Sequence, residues 1–313
     1  MVADIDLLVL GDANPDLILL GGDVVPAFGQ AEHLVDDARL TMGGSGAILA
    51  CGAAKLGLRV AICALVGDDL FGRYVREGLE SAGVETGGIA VDQEAATGVT
   101  VVLSGPDDRA IMTMPGTIAG LRVELIDPSL LERARHVHVS SYYLQTALAP
   151  SLPEVFDAVH DHGATTSIDP NWDPSGLWDA GLLDLLRTTD VFLPNAMEAT
   201  RLGHTSDLDD AVQSLSTRSH VVVAKNGDRG AIAGSQGQVH HVAGLRASVL
   251  DTTGAGDSFD AGFLAAWLAG EPIERSLAIA NACGSLSTRA MGGVDAQATM
   301  DEAVAFLEEG SAA

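Results

Sequence analysis

The amino-acid sequence predicts an α/β chain: a three-layer sandwich with a mostly parallel central sheet between helices, and a small second β-sheet standing off it. From about residue 120 to Glu309, strand-like apolar runs alternate with segments of helical period, the pattern of a sheet covered on both faces. Between residues 12 and 118, two pairs of β-rich runs occur with no helix inside either pair, which suits a separate small sheet. Glycine-rich turns at 11, 43 and 254 each come after a strand-like run, and ligands of open α/β sheets gather at strand carboxyl ends.

Taken in order, Ile5 to Leu10 is an apolar strand, and Leu17 to Leu20 with Ala38 to Met42 form the first pair of β runs. Ser45 to Leu56 is a small-residue helix, Arg59 to Val66 a strand and Asp69 to Ala82 a helix. Thr97 to Leu103 and Arg109 to Met114 flank Gly105-Pro106-Asp107-Asp108, a hairpin signal. Val191-Phe192-Leu193-Pro194 reads as a strand end, with the first turn of a helix at Met197-Glu198-Ala199-Thr200-Arg201. Ala247 to Leu250 is too short to classify. After it, Phe259, Gly262, Phe263, Ala266 and Trp267 recur at helical spacing and predict an amphipathic helix that Gly270 and Pro272 stop. At 313 residues, α/β units can build one large core, so residues 1–313 are expected to form a single domain with a small β appendage, 12–42 and 95–118.

Composition narrows the function. A hydrophobic content of 47% argues for a packed core rather than disorder. The net charge of −26 argues against nucleic acid and against an anionic membrane, because phosphate neutralisation needs clustered Lys and Arg. It also disfavours anionic substrates, unless a local Arg such as Arg109 intervenes. Cys51, Cys63 and Cys283 are odd in number without metal or redox spacing, Met1 to Asp6 carries acids where a signal peptide has bases, and no apolar run reaches membrane-spanning length. A cytoplasmic location is expected. His136 with His138, and His240-His241, are too few for a metal site and read as core or edge histidines.

The richest segment is Asp251-Thr252-Thr253-Gly254-Ala255-Gly256-Asp257 before the late helix. Its glycines let backbone N–H groups approach a ligand, and a helix start adds unpaired donors and the positive end of the dipole, so phosphate oxygens are natural partners. Asp257 alone would read as an N-cap; a second acid at Asp251, paired threonines and Gly-Ala-Gly exceed what a cap needs. A Walker-type loop requires Gly-Lys, and the only lysines are Lys55 in Ala-Lys-Leu and Lys225 in Ala-Lys-Asn. A dinucleotide fingerprint would need glycine where Phe259 stands.

With these motifs the chain resembles the ribokinase-like (PfkB) carbohydrate kinases nearly end to end. Gly11-Asp12-Ala13-Asn14-Pro15-Asp16, Gly43-Gly44-Ser45-Gly46-Ala47, Asp169-Pro170-Asn171, Pro194-Asn195-Ala196-Met197-Glu198 and the Asp251–Asp257 segment are similar to family motifs, in the family's order. The resemblance implies a ribokinase-like fold and phosphoryl transfer from ATP with Mg2+, and K+ as a candidate activating ion. It implies that Asp257 is the base toward the substrate hydroxyl and that the N–H groups of Gly254, Ala255 and Gly256 hold the transferred charge. Asn14, Asp16, Gly43 and Gly44 would bind sugar hydroxyls. Asn195 and Glu198 would organise Mg2+ and phosphates through water, and Lys225, Gly227 and Asn281 would lie on the nucleotide side. Asp251, the Thr253 carbonyl and the loop after Arg289 match a monovalent-cation site. The small sheet is a lid over the sugar in the family, and its outer face is expected to pair two subunits as a homodimer.

Physical reasoning adds two expectations. A carboxylate beside a helix N-terminus is stabilised as an anion, so Asp257 is expected to be a weak base that takes its proton late. Glu198 in the first turn of a helix is equally explained by the dipole or by Mg2+, which needs only one carboxylate and substrate phosphates. Ile48 stands where many relatives carry Asn, and Asp173 where relatives acting on acidic keto-sugars tend to have Arg, which disfavours a sugar acid. Met112 and Met114 share a strand face open to a flat or apolar substrate. The leading reading is transfer to a primary hydroxyl of a neutral sugar. A nucleoside (adenosine-like) kinase follows, then a vitamin-type kinase of the same fold. A catalytically silent sugar-binding protein is the reading of a different class, against which the intact phosphate machinery argues.

Overall fold

The computed structural model describes residues 3–21, 28–30, 32–104, 109–178 and 180–311. Among the described residues thirteen strands are formed: β1 Leu7–Leu10, β2 Asn14–Leu20, β3 Asp37–Gly43, β4 Val60–Gly67, β5 Glu85–Asp92, β6 Val99–Ser104, β7 Arg109–Met114, β8 His136–Val139, β9 Thr165–Ile168, β10 Val191–Phe192, β11 Val221–Lys225, β12 Ala231–Ser235 and β13 Gln238–Val242. The helices are α1 Ser45–Lys55, α2 Leu70–Ser81, α3 Pro128–Arg133, α4 Leu152–Asp161, α5 Leu182–Leu185, α6 Ala196–Leu202, α7 Leu208–Leu215, α8 Ala255–Leu268, α9 Ile273–Ser287 and α10 Met300–Ser311.

The large sheet has nine strands in the order β13-β12-β11-β10-β9-β8-β1-β4-β5, parallel from β11 to β5, with an antiparallel hairpin of β12 and β13 at one edge. Period-two alternation sorts its side chains to two cores: Leu7 and Val9 join Ile62 and Ala64 on one face, and Leu8 and Leu10 join Ala61 and Cys63 on the other. Helices α1, α2, α8, α9 and α10 cover the first face, and α3 to α7 the second. The expected layered sandwich is therefore present. His136 and His138 are buried in β8, where they share the Ser167 hydroxyl at 2.7 Å and burial lowers their pKa values. All three cysteines are buried and unpaired, and burial pushes each thiol up to about 12.

The small sheet, β3-β2-β6-β7, forms from the two expected pairs of runs. The expected turn at 105–108 and the side chain of Arg109 lie outside the described residues.

Two local expectations change. α8 is not amphipathic. Every residue from Ser258 to Ala266 is buried, because the helix lies between α1 and α9, and small residues allow the approach: a Cβ on Gly262 would come within 2.9 Å of Cys283 Sγ. The segment before Gly254 is not a strand either. Val249 and Leu250 are exposed, and the chain is pinned by Leu250 N–H donating to the Thr288 carbonyl at 2.8 Å. The glycine turns therefore have different supports: β1 of the large sheet at Gly11, β3 of the small sheet at Gly43, and an irregular segment at Gly254.

Candidate active site

A cleft of about 820 Å³ opens at the carboxyl ends of the parallel strands and draws lining from Asn14 and Asp16 of β2, Thr100, Val102, Ile111 and Thr113 of the small sheet, Ser45 and Ile48 of α1, and the first turn of α8. Lys225, Asn195 and Glu198 close its other end. Among the expected site residues, Asn14, Asp16, Gly44, Asn195, Glu198, Lys225, Gly227, Thr253, Gly254, Gly256 and Asp257 all face this one cleft.

The turn before α8 is shaped by Gly254, which occupies the cap position with φ 70°, in the left-handed region that favours glycine. A Cβ there would lie 2.6 Å from Gly293 Cα. Asp257 is thus the third helical residue and not the N-cap. The N–H of Ala255 donates to the Thr252 carbonyl at 3.3 Å and Ala255 is absent from the lining, so the turn offers the cleft the N–H groups of Gly256 and Asp257, where helix geometry supplies no intrahelical acceptor.

Asp257 also differs from expectation. Burial outweighs the helix dipole: desolvation, then the charge of Asp169, raises its carboxyl to about 7, with Lys225 opposing. Neutral pH then matches its proton affinity, which suits a general base better than a carboxylate of ordinary acidity. Ser45, whose hydroxyl accepts from Asn171 Nδ2 at 3.3 Å, lines the cleft together with Asp257. Asn171 is held at φ 54° by donating its N–H to Asp169 Oδ1 at 2.7 Å.

At the small-sheet end, Asn14 Nδ2 donates to Asp16 Oδ1 at 3.3 Å, and burial with the charges of Asp12 and Asp257 raises Asp16 to about 7. Gly43 lies beneath the Asp16 carboxylate, where any Cβ would collide with it. Asp12, given no role from sequence, is buried and accepts from the N–H groups of Ser45 and Gly46 at 3.1 and 3.0 Å, fixing the start of α1.

At the opposite end Asn195 caps α6 and Glu198 completes a capping box: Asn195 Oδ1 accepts from Glu198 N–H at 2.9 Å, while Glu198 Oε2 accepts from Asn195 N–H at 2.7 Å. Burial, then Asp169, raises Glu198 to about 7. A buried carboxylate whose cationic neighbour is committed elsewhere fits a divalent ion arriving with phosphates. Among the described residues no group of three or more His, Cys, Asp or Glu is placed to hold a metal by itself.

The ammonium of Lys225 is committed to protein oxygens. Its Nζ donates to Asp169 Oδ2 at 2.6 Å, the Leu193 carbonyl at 2.7 Å and Asp260 Oδ2 at 2.8 Å, which takes all three protons. Asp260 was missed from sequence; the signal was an acid inside an otherwise apolar helix. Asn281 likewise turns from the cleft and donates to the carbonyls of Val242 and Ala243 at 3.3 and 3.2 Å. Asp251 Oδ1 accepts from Thr253 N–H and Oδ2 from Gly292 N–H, at 2.9 and 2.8 Å, tying the turn to the loop after Arg289. Asp173 organises its own loop, accepting from Trp178 N–H at 2.7 Å, and does not line the cleft. Met112 and Met114 are exposed outside the lining, because strand alternation gives the cleft Ile111 and Thr113 instead.

A family model described as pfkB family carbohydrate kinase matches residues 4–300. The chain belongs to that family, and with it to the phosphotransferases that act on sugars. An ATP-dependent ribose-1-phosphate kinase of Halopiger xanaduensis is 32% identical over 306 residues, covering 97% of this chain and 98% of that enzyme. A fructokinase of Klebsiella pneumoniae is 31% identical, with 94% and 96% covered. Among solved structures, a putative ribokinase II from E. coli in complex with ATP and Mg2+ matches with TM-score 0.86 at 24% identity, over 97% of this chain and 99% of that one. At that identity the likeness establishes the ribokinase-like fold.

Proposed function

We propose that the protein is an ATP- and Mg2+-dependent kinase that phosphorylates a primary hydroxyl of a neutral sugar. The observation that carries this reading is the place of Asp257, a buried carboxylate in the first turn of α8 that interacts electrostatically with Asp16 at one end of the cleft and Glu198 at the other. A sugar held by Asn14 and Asp16 presents its hydroxyl to Asp257. The O–H proton passes to Asp257, the oxygen bonds to the γ-phosphorus, and the bond from that phosphorus to the bridging oxygen breaks to release ADP. Charge on the equatorial oxygens is met by the N–H groups of Gly256 and Asp257, and positioning with charge stabilisation supplies most of the catalysis in such transfers. Glu198 and Asn195 would hold Mg2+ through water, and the ion would neutralise the phosphates in an otherwise acidic cleft.

The described lining contains one cation, Lys225, and that cation is committed to protein oxygens. This favours a neutral acceptor. A phosphorylated acceptor is the second reading, favoured by the ribose-1-phosphate kinase relative. ADP release measured across ribose, fructose, ribose 1-phosphate and nucleosides separates the two: turnover confined to the phosphosugar overturns the neutral-sugar reading, and silence with all of them favours a binding protein.

Three finer points belong to the same reading. A monovalent cation such as K+ sits beside Asp251 and the Thr253 carbonyl; equal rates in potassium and in a large organic cation would refute it. Leu40, Met112 and Met114, exposed on the small sheet, pair two subunits, and a monomer in light scattering would refute that. Three unpaired buried cysteines support a reducing, cytoplasmic setting; fractionation of the source cells tests it.

A further inference from the structure

We propose that Lys225 and Asp260 are positioning residues for the transfer, a buried clamp that fixes the first turn of α8 on the carboxyl ends of three neighbouring strands. Lys225 ends β11, Asp169 follows β9, Leu193 follows β10, and Asp260 lies on α8. One ammonium therefore ties four elements together, at 2.6 Å to Asp169, 2.7 Å to Leu193 and 2.8 Å to Asp260. Asp260 is fully buried, and both of its carboxylate oxygens accept from Lys225.

Asp260 stands three residues after Asp257, so the two are neighbours on one helix surface, and a shift of the first moves the second. The other oxygen of Asp169 holds Asn171, whose amide reaches the hydroxyl of Ser45, a residue that lines the cleft together with Asp257. The clamp thus sets the Asp257 carboxylate from below through the helix and from the side through Asn171. A displacement of about 1 Å at a reacting group costs on the order of a hundredfold in rate.

Burial presses Asp260 toward its protonated form, while Lys225 keeps Asp169 ionised. Through its three short bonds the cluster supplies shape rather than field. That distinction yields the test, which rests on the kinase reading above. Full-length variants are compared for kcat and for the KM of ATP and of the acceptor that the native protein turns over fastest. Lys225→Arg keeps the charge, but a planar guanidinium cannot meet three acceptors in tetrahedral directions. We expect kcat to fall at least tenfold with both KM values within threefold. Asp260→Leu is expected to show the same fall, and Asp260→Asn, which keeps the shape and a hydrogen bond to Lys225, to recover most of it. Native-like kcat in Lys225→Arg, or Asp260→Asn as slow as Asp260→Leu, overturns the clamp. The Asp260 pair decides alone where the arginine variant does not fold. Silence of the native protein toward every acceptor overturns the kinase reading and the clamp with it, whereas native turnover with an unimpaired Lys225→Arg overturns the clamp only.

Discussion

Asn195 and Glu198 hold each other reciprocally: the Asn195 amide donates to Glu198 Oε1 at 2.6 Å, and its own Oδ1 accepts the Glu198 N–H at 2.9 Å. The pair that starts α6 also faces the cleft, so the cap and the proposed Mg2+ site are the same residues. Glu198→Gln keeps the capping pattern and removes the charge. It should raise the Mg2+ concentration needed for half-maximal rate and lower kcat at least tenfold, while the unfolding temperature at pH 8 stays at or above native. A drop in stability with unchanged Mg2+ dependence would leave only the cap.

Asp257→Asn should lower kcat by at least about a hundredfold, the span typical of general-base removal. ATP affinity, measured by equilibrium titration, should stay within threefold of native, since the N–H donors are backbone groups. Native-like turnover refutes the base assignment.

A base raised to about 7 gives kcat an acidic limb. Below that pH Asp257 carries its proton and cannot accept another, so kcat should rise roughly tenfold per unit toward neutrality and level off above it. A flat profile between pH 5 and pH 8 would show that another step limits the rate.

Stability of the nucleotide-free protein should change in the opposite sense. Asp16, Glu198 and Asp257 are each raised to about 7, above their unfolded values. Between the two values the native state binds more protons, so stability falls as pH rises, by up to about 1.4 kcal/mol per unit for each group, and is unaffected below the unfolded values. Thermal melts from pH 5 to pH 8 should show this decline, and MgATP should reduce it. Rising stability over that interval would contradict the burial argument.

Gly254→Ala should remove activity and destabilise. The left-handed backbone alone costs about 1–2 kcal/mol, before the clash with Gly293. Calorimetry with a turnover assay checks both; a stable, active variant would mean that the turn adapts.

The layered fold and most of the cleft were legible because they rest on local signals: β7 follows the run Arg109 to Met114, and Asp69 caps α2 at the expected start. What local pattern cannot carry is which side chain meets which across the chain. The commitment of the Lys225 ammonium was hidden because its partners Asp169 and Asp260 lie 56 and 35 residues away. The bonds of Asn281 were hidden for the same reason, since its acceptors, Val242 and Ala243, lie at the end of β13 and just beyond it. The direction of the Asp257 shift was not legible because the dipole is visible in sequence, whereas desolvation and the neighbouring charge of Asp169 are not.

The buried thiols make the molecule chemically quiet toward alkylating reagents. With Cys51, Cys63 and Cys283 each near 12, almost no thiolate exists at neutral pH. A single cysteine engineered onto the outer strand of the small sheet would then be the sole reactive handle, ready to carry a fluorophore that tests whether that sheet moves when sugar and ATP are added.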